Sequence, residues 1–400
     1  MRNKTSISVL LASTCLTAVA GFGALTGCSS SDGGGSPAPQ SQSTQPPTPP
    51  PVVIPHYAYV ASQTDNKVYA YKVDTSTGAL TANGDVDVSP ALSPIQTAVD
   101  PLYRFAYVAN NGSHTLSVFS LNTATGALTP VGTPLATGLN PVSVAADPSG
   151  RFVYVANQNS GTVSAFAVDG ATGTLTPIAG QPFSAGPEPF SVVVHPSGQF
   201  LYVSSGSAPP PAPQTFDIHA FSIDQTTGAL TSLGAPNPIA APAIPVHLTI
   251  HPSGRFIYVA SGINSSASAF SIDITTGQLT LINTILTGGS ASRAVAVEPM
   301  GRFAYVVSIG SNDVTIFNID STTGALSAVA PPASPVLSPP GDTGARFLAV
   351  DPSGGFLYVS YFNSPAVSEY SINPANGALT YLRDAATGNG SVGITVIGTP

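Results

Sequence analysis

Tryptophan is absent from this 400-residue chain, cysteine occurs twice, and charged side chains make up only 8% of it. Each scarcity removes a class of explanation. Cys15 lies inside an apolar leader described below, which leaves Cys28 alone and makes an internal disulfide impossible. Of the 11 Lys and Arg, Arg2 and Lys4 belong to the same leader, so 9 basic side chains face 19 acidic ones and the remainder carries a charge of about −10. No basic cluster exists to track a phosphate backbone, and nucleic acid is not an expected partner. The lack of tryptophan and of charge also argues against an aromatic or electrostatic platform for polymers. No Cys/His/Asp cluster has metal-ligand spacing, and no cofactor is expected. Helical apolar spacing is missing over any normal helix length, so the chain is built from strands and turns.

What is present is one phrase repeated seven times. Its clearest copy reads DPSGRFVYVAN from Asp147 to Asn157, followed by TVSAFAVDGATGTLT from Thr162 to Thr176. The central tyrosine falls at Tyr59, Tyr107, Tyr154, Tyr202, Tyr258, Tyr305 and Tyr358, at intervals of 48, 47, 48, 56, 47 and 53 residues. Each copy divides into four short apolar runs, called strands a to d, joined by turns rich in Gly, Asp and Ser. A four-stranded unit cannot bury both faces by itself, and about fifty residues per unit is the period of a β-propeller blade. The sequence therefore predicts an all-β fold, a seven-bladed β-propeller of four-stranded blades. The first copy starts at strand b (His56 to Ser62) without a strand a, while the orphan run Ser391 to Gly398 follows the last copy. The C-terminal strand is expected to complete blade 1 and close the ring without an open sheet edge.

Residues 1–27 read as a secretion signal: a short basic start, an apolar run from Ile7 to Leu25, then Leu25-Thr26-Gly27-Cys28. That ending resembles the lipobox of bacterial lipoproteins, with Cys28 as the lipidated residue. Residues 28–54 are a Pro/Ser/Gly-rich linker, and 55–400 form the propeller. The chain is thus expected to be exported and held to the bacterial membrane only through its lipid, as a monomer in the periplasm or at the cell surface. Ser29 favours the outer membrane in a Gram-negative cell.

Polar residues that recur with the repeat are explained by their turns. Arg104, Arg151, Arg255 and Arg302 share the a-to-b turn; Asp100, Asp147, Glu298 and Asp351, with His195 and His251 in their place, precede its proline; Asp74, Asp169, Asp224, Asp273 and Asp320 open the c-to-d turn. Four residues break the pattern. His247, Arg293 and Arg346 stand at the start of strand a in blades 5, 6 and 7, at equivalent height by alignment, and Glu188 lies just before strand a of blade 4. All four are expected at one mouth of the central channel. Length variation marks the same face, because the b-to-c connection of blade 4 carries the extra APPPAP and a long segment precedes strand a of blade 7.

With DPSGRFVYVAN, VSAFAVD and TTGALT on the page, the chain resembles the seven-bladed lactonase family, which includes 6-phosphogluconolactonase-type enzymes and carboxymuconate cyclases. The resemblance implies a mouth site of His, Arg and Glu, with a Pro-Arg-His strand start and an Asn-Glu-Leu segment after the next strand. Here the corresponding residues are Pro245-Val246-His247 and Ser261-Gly262-Ile263. The histidine is kept, while Val246 holds the arginine position and Gly262 the acidic one. Arg293 and Arg346 match arginine positions of later blades. Lactone opening needs a base to activate water and cations for the developing oxyanion. On that chemistry His247 is expected as the base, Arg293 and Arg346 as holders of a carboxylate or of the oxyanion, and Glu188 as orienting the histidine from a different position than the family glutamate. Two readings stand: a lactonase for a small anionic lactone, and a non-catalytic propeller that binds a small anionic molecule or an envelope protein at its mouth.

Overall fold

The computed structural model describes residues 54–206, 216–234, 237–330 and 334–399. The leader, Cys28, the linker up to residue 53 and the APPPAP insertion lie outside them. Every regular element among the described residues is a strand. They form seven antiparallel sheets, one per repeat, and the strands a touch their neighbours in a closed cycle around the axis.

Strand b, the middle of each blade, is buried along its length, as in Phe105–Asn110 and Phe303–Ser308. Both of its faces pack on neighbouring blades, which is why its sequence is continuously apolar and does not alternate. Aromatic side chains link blade to blade. The hydroxyl of Tyr154 donates to the carbonyl of Gly228 at 2.9 Å, and Tyr59, Tyr202, Tyr258, Tyr305 and Tyr358 make the same bond to Gly126, Gly277, Gly324, Gly377 and Gly78. Those glycines end the turn between strands c and d, after a threonine in five cases and after Asn376 at Gly377. At Gly228 φ is +74°, and a β-carbon would collide with Phe152 at 2.4 Å. The turn therefore requires glycine twice, for its backbone and for the ring beneath it.

The ring closes as expected. Ser391–Thr399 pairs antiparallel with Ile54–Ser62, with Tyr59 opposite Thr395, and forms the inner edge of blade 1. Thr395 also donates to the carbonyl of Thr97 in blade 2 at 2.8 Å. On the outer side Glu369, buried in blade 7, accepts the Leu80 N–H of blade 1 at 2.8 Å.

The fourth strand differs from expectation in blades 2, 3, 4 and 6, where it is broken into two pieces that both pair with strand c, such as Leu175–Pro177 and Phe183–Ser184. Proline interrupts these segments and has no N–H for the ladder. Blades 1, 5 and 7 have no proline in Leu80–Asp87, Leu279–Leu286 or Leu379–Ala386, and there the strand runs unbroken.

Candidate functional site

Strand a determines what the mouth presents. In each blade its pairing with strand b slips at the second residue, so that in blade 5 Pro245 faces Ser261 and His247 faces Ala260 with Val246 left over. The same bulge frees Arg293 in blade 6 and Arg346 in blade 7. A bulge leaves its extra residue off the ladder and re-aims it. Here the freed residues line a pocket of about 150 Å³ at the mouth: Ile95, Val142, Phe190 and Val246 from blades 2 to 5, then Arg293 and Arg346 from blades 6 and 7.

The two arginines share this space without a counter-charge. Neither forms an ion pair among the described residues. Burial lowers the pKa of Arg293; burial and then the neighbouring Arg293 bring that of Arg346 down to about 10. The Arg346 guanidinium lies over the Phe362 ring, 5.0 Å from its centroid, and its buried Nε has no hydrogen-bond partner. Two neighbouring cations with donors unused can attract an anion.

His247 sits one residue further along strand a than the arginines, so the expected equal height is not what the bulge produces. Its Nδ1 accepts the Val295 N–H of blade 6 at 3.4 Å. Blades 2 to 4 fill the same slot with other acceptors: Gln96 takes the Val144 N–H at 2.8 Å, Ser143 that of Val192 at 3.1 Å, and Ser191 that of Leu248 at 3.2 Å. His247 thus continues a blade-to-blade link. Burial, then Arg293, lowers its pKa to about 4, with the Val295 bond opposing. At neutral pH the ring is uncharged, with its proton on Nε2 because Nδ1 is an acceptor. Its edge meets Phe347 of blade 7 at 5.6 Å between centroids, across the small Ala294 of the intervening blade.

Glu188 does not join this group. Its φ of 47° matches Ser93, Asn140 and Ala291 at the same place in their blades, just before strand a. Its carboxylate makes no hydrogen bond or ion pair among the described residues and does not line the pocket, so the expected contact with His247 is absent. The recurring turn residues behave as their recurrence implies. Asp147 accepts the N–H groups of Arg151 and Phe152, while His195 and His251 bond the carbonyls of Gly254 and Gly301 in the next blade.

Gln63, Asn111 and Gln158 also line the pocket, each directly after strand b in blades 1 to 3. An amide at one repeat position in three successive blades was the available signal for them. Phe347 completes the apolar side.

The sequence profile described as "Lactonase, 7-bladed beta-propeller" matches residues 54–194, 180–261 and 246–336, together more than half of the chain. The chain belongs to the seven-bladed β-propeller lactonase family. Among solved structures, this lactonase-family chain is similar to a candidate 6-phosphogluconolactonase from Bacteroides uniformis, with 23% identity and a TM-score of 0.74 over 86% of this chain and 100% of that one. A second candidate 6-phosphogluconolactonase, from Bacteroides fragilis, gives 20% and 0.72 over 88% and 100%. A periplasmic gluconolactonase from Pseudomonas aeruginosa gives 19% and 0.71 over 86% and 99%. At these identities the likeness concerns the fold. No curated protein matches the sequence.

Proposed function

We propose that this lactonase-family propeller takes a small anionic lactone into its mouth pocket and hydrolyses it. One observation carries the reading: Arg293 and Arg346 are enclosed side by side with no carboxylate beside them. In the reaction, water adds to the lactone carbonyl carbon and its oxygen takes up negative charge. The ring C–O bond then breaks, and the leaving alkoxide takes the proton released by the water. A preorganised pair of guanidiniums stabilises the oxyanion or holds the substrate's own anionic group. His247, uncharged with Nδ1 occupied and outside the pocket lining, is poorly suited to the part of a base.

The second reading, binding without turnover, is favoured by the pocket lining, which among the described residues contains neither a carboxylate nor a histidine to accept a proton. We also propose that Cys28 carries lipid and holds the propeller in the cell envelope. Incubating the full-length chain with sugar-acid and muconate-type lactones, and following acid release, tests the enzyme reading. Turnover that is lost in Arg346→Gln supports it. Arginine-dependent binding without acid release selects the second reading, and the absence of both overturns the two together.

A further inference from the structure

The anion receptor occupies only one arc of the mouth. Arg293 and Arg346 lie on blades 6 and 7, while the opposite arc presents Ile95, Val142, Phe190 and Val246 from four successive blades. Phe347 lies at the pocket beside His247, over the fully buried Ala294. Polar partners for a ligand on the apolar arc are few. Of the three amides above it, Asn111 is already committed, with Nδ2 donating to the Pro141 carbonyl and Oδ1 accepting from Asn140, both at 3.3 Å. The side chains of Gln63 and Gln158 make no hydrogen bond among the described residues, and Asn111 keeps one Nδ2 hydrogen, so these few groups are what the lining offers a hydroxyl.

From this division we infer that the pocket's ligand is amphipathic: a carboxylate held at Arg293 and Arg346, on an apolar body lying against Ile95, Val142, Phe190 and Val246. The inference rests on the anion-receptor reading above and narrows it against polyhydroxylated acids. Each hydroxyl facing the hydrocarbon arc gives up its water without a partner, which costs affinity. An apolar body on the same surface gains by leaving water. A carboxylate is the matching charge for two guanidiniums that line one pocket and form no ion pair among the described residues.

Three probes of one ring size separate the contributions. Cyclohexanecarboxylate has the charge and the apolar body, quinate has the charge on a hydroxylated ring, and cyclohexanecarboxamide has the apolar ring without charge. Calorimetric titration of the full-length chain is expected to give cyclohexanecarboxylate an affinity at least about tenfold above each of the others. Arg346→Gln should abolish the preference for carboxylate over carboxamide, and Val142→Ser with Val246→Ser should shrink the preference over quinate. Quinate binding as tightly as cyclohexanecarboxylate, with arginine dependence, overturns the apolar-body inference and leaves the anion receptor standing. Carboxamide binding as tightly as carboxylate, or an Arg346→Gln variant that binds as before, overturns the receptor and this inference with it. Failure of all three probes to bind at millimolar concentration overturns the inference.

Discussion

Arg346 and Arg293, from adjacent blades, line one pocket, where burial and then the Arg293 charge lower the pKa of Arg346. A purely structural pair of this kind would carry a carboxylate between them. Buried like charges destabilise a fold, and the cost is recovered only when something of opposite sign enters.

Opposite effects on stability and binding follow. Arg346→Gln should raise the melting temperature by about 1 to 2 degrees, corresponding to about 1 kcal/mol, by removing one of two repelling, partly buried charges. The same change should weaken anion binding. Wild-type chain heated with a carboxylate ligand should gain stability that the variant does not. A variant that melted earlier than wild type, with its binding intact, would mean that the arginine holds the blades together and has no receptor role.

The histidine predicts a particular acid limb. His247 has a pKa of about 4 in the folded chain, below its ordinary value of 6.5, because burial opposes its charge. Above pH 6.5 the group is neutral whether folded or not and contributes nothing to the pH dependence. Between 6.5 and 4 the unfolded chain takes up a proton that the native ring refuses, so stability falls as pH falls, by up to about 3 kcal/mol. His247→Gln should remove that component and keep the fold within about 1 kcal/mol, because Gln96 already fills the equivalent slot as an acceptor. His247→Ala leaves the Val295 N–H without its partner and should cost more. Denaturant titrations at pH 7 and pH 5 compare the three chains; an unchanged pH 5 decrement in His247→Gln would refute the assignment.

Much of this was legible in the sequence, and the parts that were not share a cause. Seven tyrosines at a blade period dictated the propeller, and the orphan Ser391 to Gly398 pointed to its closure. Arg293 and Arg346 stood out because they interrupt a repeat whose other arginines all sit in one turn. What the sequence could not reveal was the bulge at the second residue of strand a. A one-residue slip decides which side chain faces the axis and which faces the ladder. It places Arg293 and Arg346 in the pocket with Val246 and turns His247, one residue further along, toward Val295. Glu188 was misleading for a similar reason, since its position is one of recurring left-handed backbone. The split outer strands of blades 2, 3, 4 and 6 could have been read from their prolines.

Ring closure depends on the last strand. Val392, Ile394 and Ile397 are buried on it, at 0%, 8% and 5% exposure. Truncation after Gly390 removes all three together with the pairing to Ile54–Ser62, a loss on the order of 5 kcal/mol at the usual value per buried aliphatic side chain. The truncated chain should unfold well below the wild-type temperature or fail to accumulate as a folded species. Superimposable melting curves would show that blade 1 holds without it.

Anchoring is a separate matter from folding. Cys28→Ser should leave the chain unprocessed or release it from the membrane fraction, because stable attachment takes more than one acyl chain and the substitution removes the site for all of them. Fractionation of expressing cells, with the propeller's melting temperature as a control, is the measurement. A Cys28→Ser chain that was still processed and still sedimented with membranes would rule out lipidation at this residue.

The departures at Val246 and Gly262 belong together. A β-carbon on Gly262 would stand 3.4 Å from Val246 Cγ1, so the position where the resemblance implies an arginine touches the one where it implies an acid. Either charge placed there alone would stand beside an apolar wall, and this chain has neither. Restoring them should show the same coupling. Val246→Arg by itself adds a third cation near Arg293 and Arg346 and should destabilise the fold by about 1–3 kcal/mol. Gly262→Glu by itself places an acid in reach of the arginine pair, where it should compete with an anionic ligand and weaken binding. The double variant should recover stability relative to Val246→Arg, with a favourable interaction energy in a double-mutant cycle. If hydrolysis requires the full charge set, only the double variant should raise lactone turnover above wild type. Additive single effects, with no recovery in the double variant, would show that the contact between these residues has no energetic consequence.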